Sequence, residues 1–527
     1  MVFETAISAL VLLSSNLSTE LLSRTQFAWT ITIHIVFASL SVGLAPFIVY
    51  FTWKDVKTGK QRYAELRDFW VKVFSLGFIM GTATGIPMSF QFGTNFPIFS
   101  EFAGELIGGP LAFEAKMAFF LEAVFLGILL FGRERVSDRT YIISSVLVAV
   151  GAWLSAFWII VVNAWMQTPQ GFDLSGEVAT MTDPIAAIFT PRLAWMYAHM
   201  QISAIISVAL LVGGIAAYML WKHGDDDAWH IAMKISIAIL VITAPLQALQ
   251  GDAYARHVED TQPTKFAAME AHYETDTGAD LHILAFPKSV EGFTDPRAEN
   301  LWTVSIPGLL SVMATGETDS EVLGLNEFDE TPPVAIVFWS FRIMVGLGMW
   351  FIFLAAWAGM RAYRGRVADS DRLLKAMMLS TPLGFIAMIA GWYTTEVGRQ
   401  PWIIQDEMTV NEGHSQVLSS TEAAITLAAF VLIYGGLFLL FLYVMRRLVG
   451  TEAARVDPTI SEEESTRDEV DGETDDKQVT TDGGKQSTTR SNGRAYPEKD
   501  NRGRTESEVE SDDRSCEDRQ TEGGGEQ

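Results

Sequence analysis

His34, Glu114, Lys116, Glu122, His199, Arg342, Glu396 and Arg399 all fall within or at the ends of long apolar runs. An ionisable side chain at mid-bilayer costs at least about 2.5–3.5 kcal/mol on insertion scales, so each needs a chemical reason to be there. Glu114 and Glu122 stand eight residues apart in FEAKMAFFLEAVF, which puts both on one helix face as steps of a proton relay. The plainer alternative pairs Glu114 with Lys116 or Arg399 and leaves Glu122 buried and protonated. Glu396 and Arg399 are three apart in GWYTTEVGRQPW, close enough to share a helical turn, with Trp392 and Trp402 as flat apolar walls. Cys516 is the one cysteine of the chain, so a disulfide framework, an iron–sulfur ligand set and a CxxCH attachment are all excluded. A metal held among these runs must therefore use His, Met, Glu or Asp.

The elements that must position these groups are membrane helices. Nine apolar runs, near 27–53, 69–92, 110–131, 141–165, 192–221, 229–250, 334–360, 374–393 and 421–446, approach the ~20 residues a span requires. The chain is 49% hydrophobic yet carries a net charge of −25, so the charge must be segregated. Much of it lies beyond about Thr451, where Glu, Asp, Ser, Thr and Gly dominate, and residues 447–527 read as a disordered acidic tail. Met1 to Leu22 contains Glu4 and lacks a basic start, which reads as an amphipathic lead-in rather than a cleaved signal. The expected fold is thus an all-α polytopic membrane protein, with a nine-helix domain over 1–446.

Loop charge sets the threading. Lys54, Lys57, Lys60, Arg62 and Arg67, then Arg133, Arg135 and Arg139, then Arg361, Arg364, Arg366, Arg372 and Lys375, and finally Arg446 and Arg447 all fall on one side. The opposite short loops, 93–109 and 166–191, have no Lys or Arg. The basic side is therefore cytoplasmic, the N-terminus outside and the C-terminus cytoplasmic. The long connection over 251–333 then lies outside; its first part reads as an interrupted helical stretch containing His257, Lys265, Glu270 and His272, a lid or binding segment.

Depth turns the list of polar groups into a layer. The first, third, fifth and seventh runs enter from outside, and at 1.5 Å per residue His34, Glu114, His199 and Met344 lie about 6–15 Å below their entry points. Glu396 reaches the same side from below. An imidazole and a thioether at matching depth, His199 and Met344, can supply both axial positions of a low-spin haem iron. Arg342, two residues from Met344, wants an anion, which haem propionates would provide. Taken singly, such a His is as readily a buried hydrogen-bonding residue, and such a Met a packing residue.

These residues sit in motifs that carry a resemblance. SRTQFAWTITIH around His34, FQFGTNFP, FEAKMAFFLEAVFLG, NAWMQTP, GD followed by QPTKFAAME, FRIMVG around Met344, and GWYTTEVGRQPW occur in the order found in subunit I of the cytochrome bd-type quinol oxidases. The chain resembles that family over about residues 20–446. The resemblance implies that His199 and Met344 are the axial pair of a low-spin haem b. It implies that His34 and Glu396 are axial ligands of two high-spin haems, one a haem b and the other haem d or a third haem b, without saying which residue takes which. It casts Lys265 and Glu270 as quinol-binding residues of the outer "Q-loop" (251–333), here of the short type. Glu114 and Glu122 become carboxylates at the active haem and on the proton route, and Arg342 and Arg399 propionate partners. Expected partners are a second membrane subunit (subunit II), membrane quinol, dioxygen and a small accessory subunit; nucleic acid is not among them. The expected location is the cell membrane. The acidic tail has no counterpart in the family pattern.

The implied activity is oxidation of quinol at the outer face and reduction of dioxygen to water, generating proton motive force without pumping. A haem–copper oxidase needs more intramembrane histidines than His34 and His199. The rival from another class is a proton-coupled transporter, whose intramembrane Glu and Arg would be ion and substrate sites. It calls for repeat symmetry and matching broken spans, which the sequence does not show.

Overall fold

A computed structural model describes residues 17–224, 226–287 and 299–457. The expected acidic tail beyond 457 and all but the end of the lead-in lie outside the described residues. Among the described residues, eight helices are long and apolar enough to cross a membrane. In chain order, the helices used below are α1 (Thr19–Thr58), α2 (Gln61–Thr94), α3 (Gly104–Phe113), α4 (Phe119–Phe131), α5 (Asp138–Gln167), α6 (Leu193–Lys222), α7 (Asp227–Thr261), α8 (Pro263–Glu270), α9 (Val334–Tyr363), α10 (Asp371–Ser380), α11 (Leu383–Val397) and α12 (Ser420–Val456).

Local chemistry sets their ends. Ser18, Ser137 and Asp226 accept backbone N–H bonds at the starts of α1, α5 and α7, and Ser419 with Glu422 forms a capping box on α12. Gly59 closes α1 in the left-handed conformation that costs glycine nothing. Prolines at 46, 87 and 245 are carried inside α1, α2 and α7, as membrane helices tolerate.

Three boundaries differ from expectation. The run at 110–131 is divided: α3 ends at Phe113, Glu114–Ala118 forms a π-turn, and α4 resumes at Phe119. A π-turn closes i→i+5, one residue wider than an α-turn, so it brings the eight-residue spacing of Glu114 and Glu122 closer to a whole number of turns. α7 does not stop near 250 but continues to Thr261, so the outer connection begins as helix. α12 continues past 446 to Val456, where Arg455 pairs with Glu452 (2.7 Å) on its own helix and with Glu65 of α2 (3.2 Å).

α6 is the axis of the bundle: the apolar window that includes it is 78% buried, against 11% for that of α12. Phe37, Leu40 and Leu44 of α1, Trp70 and Phe74 of α2, Val208 and Val212 of α6 and Trp229 of α7 fill the main core. Small residues bring the backbones together, since a Cβ on Gly43 of α1 would lie 2.3 Å from the Ala204 carbonyl oxygen and one on Gly384 of α11 2.5 Å from Ser207 Cα. At the basic ends of α1 and α2, Arg67 bonds the buried Asp55, which Arg133 also approaches at 3.6 Å.

The outer connection has its own core. Gln262, outside helical conformation, separates α7 from α8, and Ala271 ends α8 in the left-handed region. Strands Leu281–Pro287 and Asn300–Ile306 pair antiparallel, as do Asp276–Thr277 and Glu321–Val322. Phe266, Met269, Tyr273, Leu310, Val322 and Leu325 pack on Val337, Phe338 and Phe341 at the start of α9. The interrupted helical stretch is thereby anchored to the bundle by apolar burial.

Candidate functional site

A cavity of about 1790 Å³ opens within the bundle, bordered by His34, Glu114, Glu122, His199, Lys265, Met344, Trp392, Glu396 and Arg399. Nine of the expected site residues, from α1, the π-turn, α4, α6, α8, α9, α11 and the turn after it, are thus brought to one space. Arg342 and Glu270 do not border it; they pair with each other at 2.5 Å, and Arg342 also donates to the His282 carbonyl at 2.8 Å. Pockets for drug-sized ligands span roughly 300–1000 Å³, so this cavity has room for more than one large cofactor.

Hydrogen bonds fix the ring state of both histidines. Gln250 of α7 donates from Nε2 to the Trp195 carbonyl (3.0 Å), so its Oε1, 2.5 Å from His199 Nδ1, must accept. Nδ1 then carries a proton, and in the neutral ring Nε2 holds the lone pair. Thr84 of α2 repeats the logic: its hydroxyl donates to the Met80 carbonyl (2.8 Å) and so accepts from His34 Nδ1 at 3.0 Å. In its neutral form each imidazole therefore has Nε2 free, the form that binds a metal.

Glycines make room for the same donors. A Cβ on Gly85 would lie 2.9 Å from His34 Cε1, one on Gly251 3.3 Å from His199 Cε1, and one on Gly391 2.8 Å from Met344 Sδ. Single donors on separate helices, each faced by a glycine, suit axial ligation of a flat cofactor that brings its own equatorial ligands. Consistent with this, no cluster of three His, Cys, Asp or Glu side chains able to cage a bare metal occurs among the described residues. The residues fit haem.

Glu396 accepts from Asn163 Nδ2 (2.8 Å) and Gln167 Nε2 (3.3 Å) through one oxygen and from Arg399 (2.5 Å) through the other. Arg399 therefore takes Glu396 and not Glu114, which accepts from Ser155 at 3.1 Å, while Lys116 is exposed. Glu122 is buried, and one of its carboxyl oxygens has no partner. Lys265 is 3% exposed and donates to Gln167 Oε1 and Gln262 Oε1, 2.5 Å each. Burial, then Arg192 and Arg399, holds its ammonium well below the ordinary lysine range.

Sequence reasoning missed Gln250, Thr84, Asn163, Gln167 and Arg192. Asn163 and Gln167 left a signal, two amides four apart at the outer end of an apolar run. Gln250 and Thr84 left none, because their meaning lies in the neighbouring helix.

The model of the family described as cytochrome bd terminal oxidase subunit I matches residues 22–453. Cytochrome bd-II ubiquinol oxidase subunit 1 of Escherichia coli (strain K12) is 32% identical over 519 residues, spanning 84% of this chain and 98% of that protein. Cytochrome bd ubiquinol oxidase subunit 1 of Bacillus subtilis (strain 168) is 31% identical over 450 residues, covering 83% and 95%. Among solved structures, the bd oxidase from Geobacillus thermodenitrificans superposes with a TM-score of 0.75 at 32% identity, over 82% of this chain and 98% of the solved one. A match of this length takes in every helix that borders the cavity, and the chain belongs to the cytochrome bd terminal oxidase subunit I family.

Proposed function

We propose that this chain is the haem-bearing subunit of a terminal respiratory oxidase that oxidises membrane quinol and reduces dioxygen to water. The observation that carries the reading is the convergence of two lone-pair imidazoles, a thioether and a carboxylate on one cavity. Family membership favours it over a proton-coupled transporter. When bound, haem supplies one-electron chemistry and an oxygen-binding iron.

The chain's own residues divide the remaining work. His199 and Met344 hold the low-spin haem b; His34 and Glu396 hold the two high-spin haems, a haem b and either haem d or a third haem b. Trp392 gives a flat wall, and Arg342 and Arg399 face propionates. Lys265 and Glu270 bind quinol beneath the outer connection, where both are buried in this conformation. Glu122 and Glu114 carry protons inward from the cytoplasmic side, the π-turn holding the two in phase. With nine passages, the N-terminus outside and the C-terminus cytoplasmic, protons from quinol leave outside and those consumed enter from inside, so charge separates without pumping. The domain over 1–446 sits in the cell membrane with a second membrane subunit and a small accessory subunit, followed by the acidic tail.

Met344→Leu and Lys265→Ala test this together in the purified complex. Met344→Leu removes or shifts the low-spin haem signal and leaves the other bands, while Lys265→Ala and Glu270→Ala slow quinol turnover and spare all haem bands. Equal loss of every haem in the three variants would refute the division of roles.

A further inference from the structure

Two cations that border the cavity have no carboxylate partner among the described residues. Arg192 immediately before α6, Lys265 in α8, Arg399 after α11 and Glu396 in α11 all border it. Glu396 is committed to Arg399, and Arg342 nearby in sequence to Met344 has Glu270. Among the described residues no carboxylate forms an ion pair with Arg192 or Lys265. Arg192 donates from Nη2 to neutral oxygens, Thr261 Oγ1 at 2.7 Å and Gln262 Oε1 at 2.8 Å, and lies 5.5 Å from the Tyr254 ring centre.

Arg192 is the harder of the two to account for. It is 1% exposed, and its Nε is buried without a hydrogen-bond partner. A buried lysine can shed its proton, but a guanidinium cannot, so the charge stays and needs an anion. The aromatic face of Tyr254 softens the desolvation without supplying the missing charge. Position says which anion. Arg192 precedes His199 by seven residues, two turns of helix, which sets it on the same face and about 10.5 Å further out. A cofactor ligated by His199 that extends outward along α6 brings its peripheral acid groups to that level.

We propose that Arg192 forms a carboxylate-binding site that takes a propionate of the haem held by His199. The proposal rests on the reading of His199 as a haem ligand. It assigns Arg192 as a further cation for the cofactor's acid groups, one that, unlike Arg342 and Arg399, has no carboxylate of the protein beside it among the described residues.

The test uses the purified complex with Arg192→Gln and Arg192→Lys, and His199→Ala as a control. Removing a cation from the haem edge disfavours the electron-rich reduced state, so Arg192→Gln moves the low-spin midpoint potential downward, beyond the scatter of repeat titrations, with the band position unchanged. Arg192→Lys keeps the charge but loses the planar fork, so the carboxylate bands of ¹³C-labelled propionates shift in the redox difference infrared spectrum. An unshifted potential in Arg192→Gln overturns the proposal, and so do unshifted propionate bands in Arg192→Lys if the glutamine variant does not assemble. A low-spin signal that survives His199→Ala would instead remove the ligand assignment beneath it.

Discussion

Gly391→Ala separates ligation from stability. A Cβ at Gly391 would stand 2.8 Å from Met344 Sδ and 3.8 Å from Cγ. Carbon and sulfur pack at no less than roughly 3.5–4.0 Å, so the sulfur must withdraw by about 1 Å. Methionine is unbranched and flexible, which keeps the overpacking near the low end of its range, about 1 kcal/mol. Alanine is also about 1 kcal/mol better than glycine within a helix, and Gly391 lies inside α11, so the two effects nearly cancel. Thermal unfolding of the complex is then expected within a few degrees of wild type. The proposed hold of Met344 on a haem iron would have no such tolerance, because displacement by about 1 Å would take the sulfur out of bonding range. Reduced-minus-oxidised spectra should show the low-spin band lost or shifted while the other haem bands persist. Adding Gly391→Ala to Met344→Leu should change nothing further, since the sulfur it displaces is gone. A variant with a wild-type low-spin band and potential would refute the argument, either because the glycine is not a spacer or because Met344 is not on the iron.

Gln250 and the outer connection give two further tests. Gln250→Glu, which places a charge on the acceptor of the His199 Nδ1 proton, should lower the low-spin midpoint potential, and Gln250→Leu, which removes the acceptor, should raise it and weaken haem retention about 10- to 100-fold. Redox titration decides; shifts of the same sign in both variants would mean that Gln250 only packs. In the outer connection, burial holds His272 and His282 below the ordinary histidine range, the bond of His272 to the Val322 carbonyl opposing it. A base whose folded pKa is depressed is refused a proton that the unfolded chain accepts, so stability present above about pH 6.5 is lost as the pH falls below it. Hydrogen exchange of the segment from α8 to the Glu321–Val322 strand should therefore accelerate between pH 7 and 5, and His272→Gln should flatten the response; protection that is constant or rises on acidification would contradict the sign.

What the sequence could and could not convey follows from where each signal resides. The long apolar helices were legible because twenty apolar residues in a row have one economical destination, and the gathering of His34, Glu114, His199, Met344 and Glu396 at one cavity because depth is a count of residues from a boundary. The pairing of Glu396 with Arg399 was within reach for the same reason: three residues on a helix is a distance. The π-turn at Glu114–Ala118 was not, since FEAKMAFF is as compatible with an unbroken α-helix; the flanking Phe113 and Phe119 stack on Trp158 of α5 and Phe78 of α2. Arg342 and Arg192 make the limit plain. Each is a lone arginine near the outer end of an apolar run, and nothing local distinguishes them. Folding gives Arg342 a glutamate from α8, seventy-two residues away in the chain, and gives Arg192 two neutral oxygens and an orphaned Nε. A charge is recognised as functional by what it lacks, and a missing partner is a property of the assembled bundle. The residues that announce themselves in this sequence are accordingly those expected to touch iron, while those that hold an imidazole in its tautomer or wait for a carboxylate become visible only when the helices stand side by side.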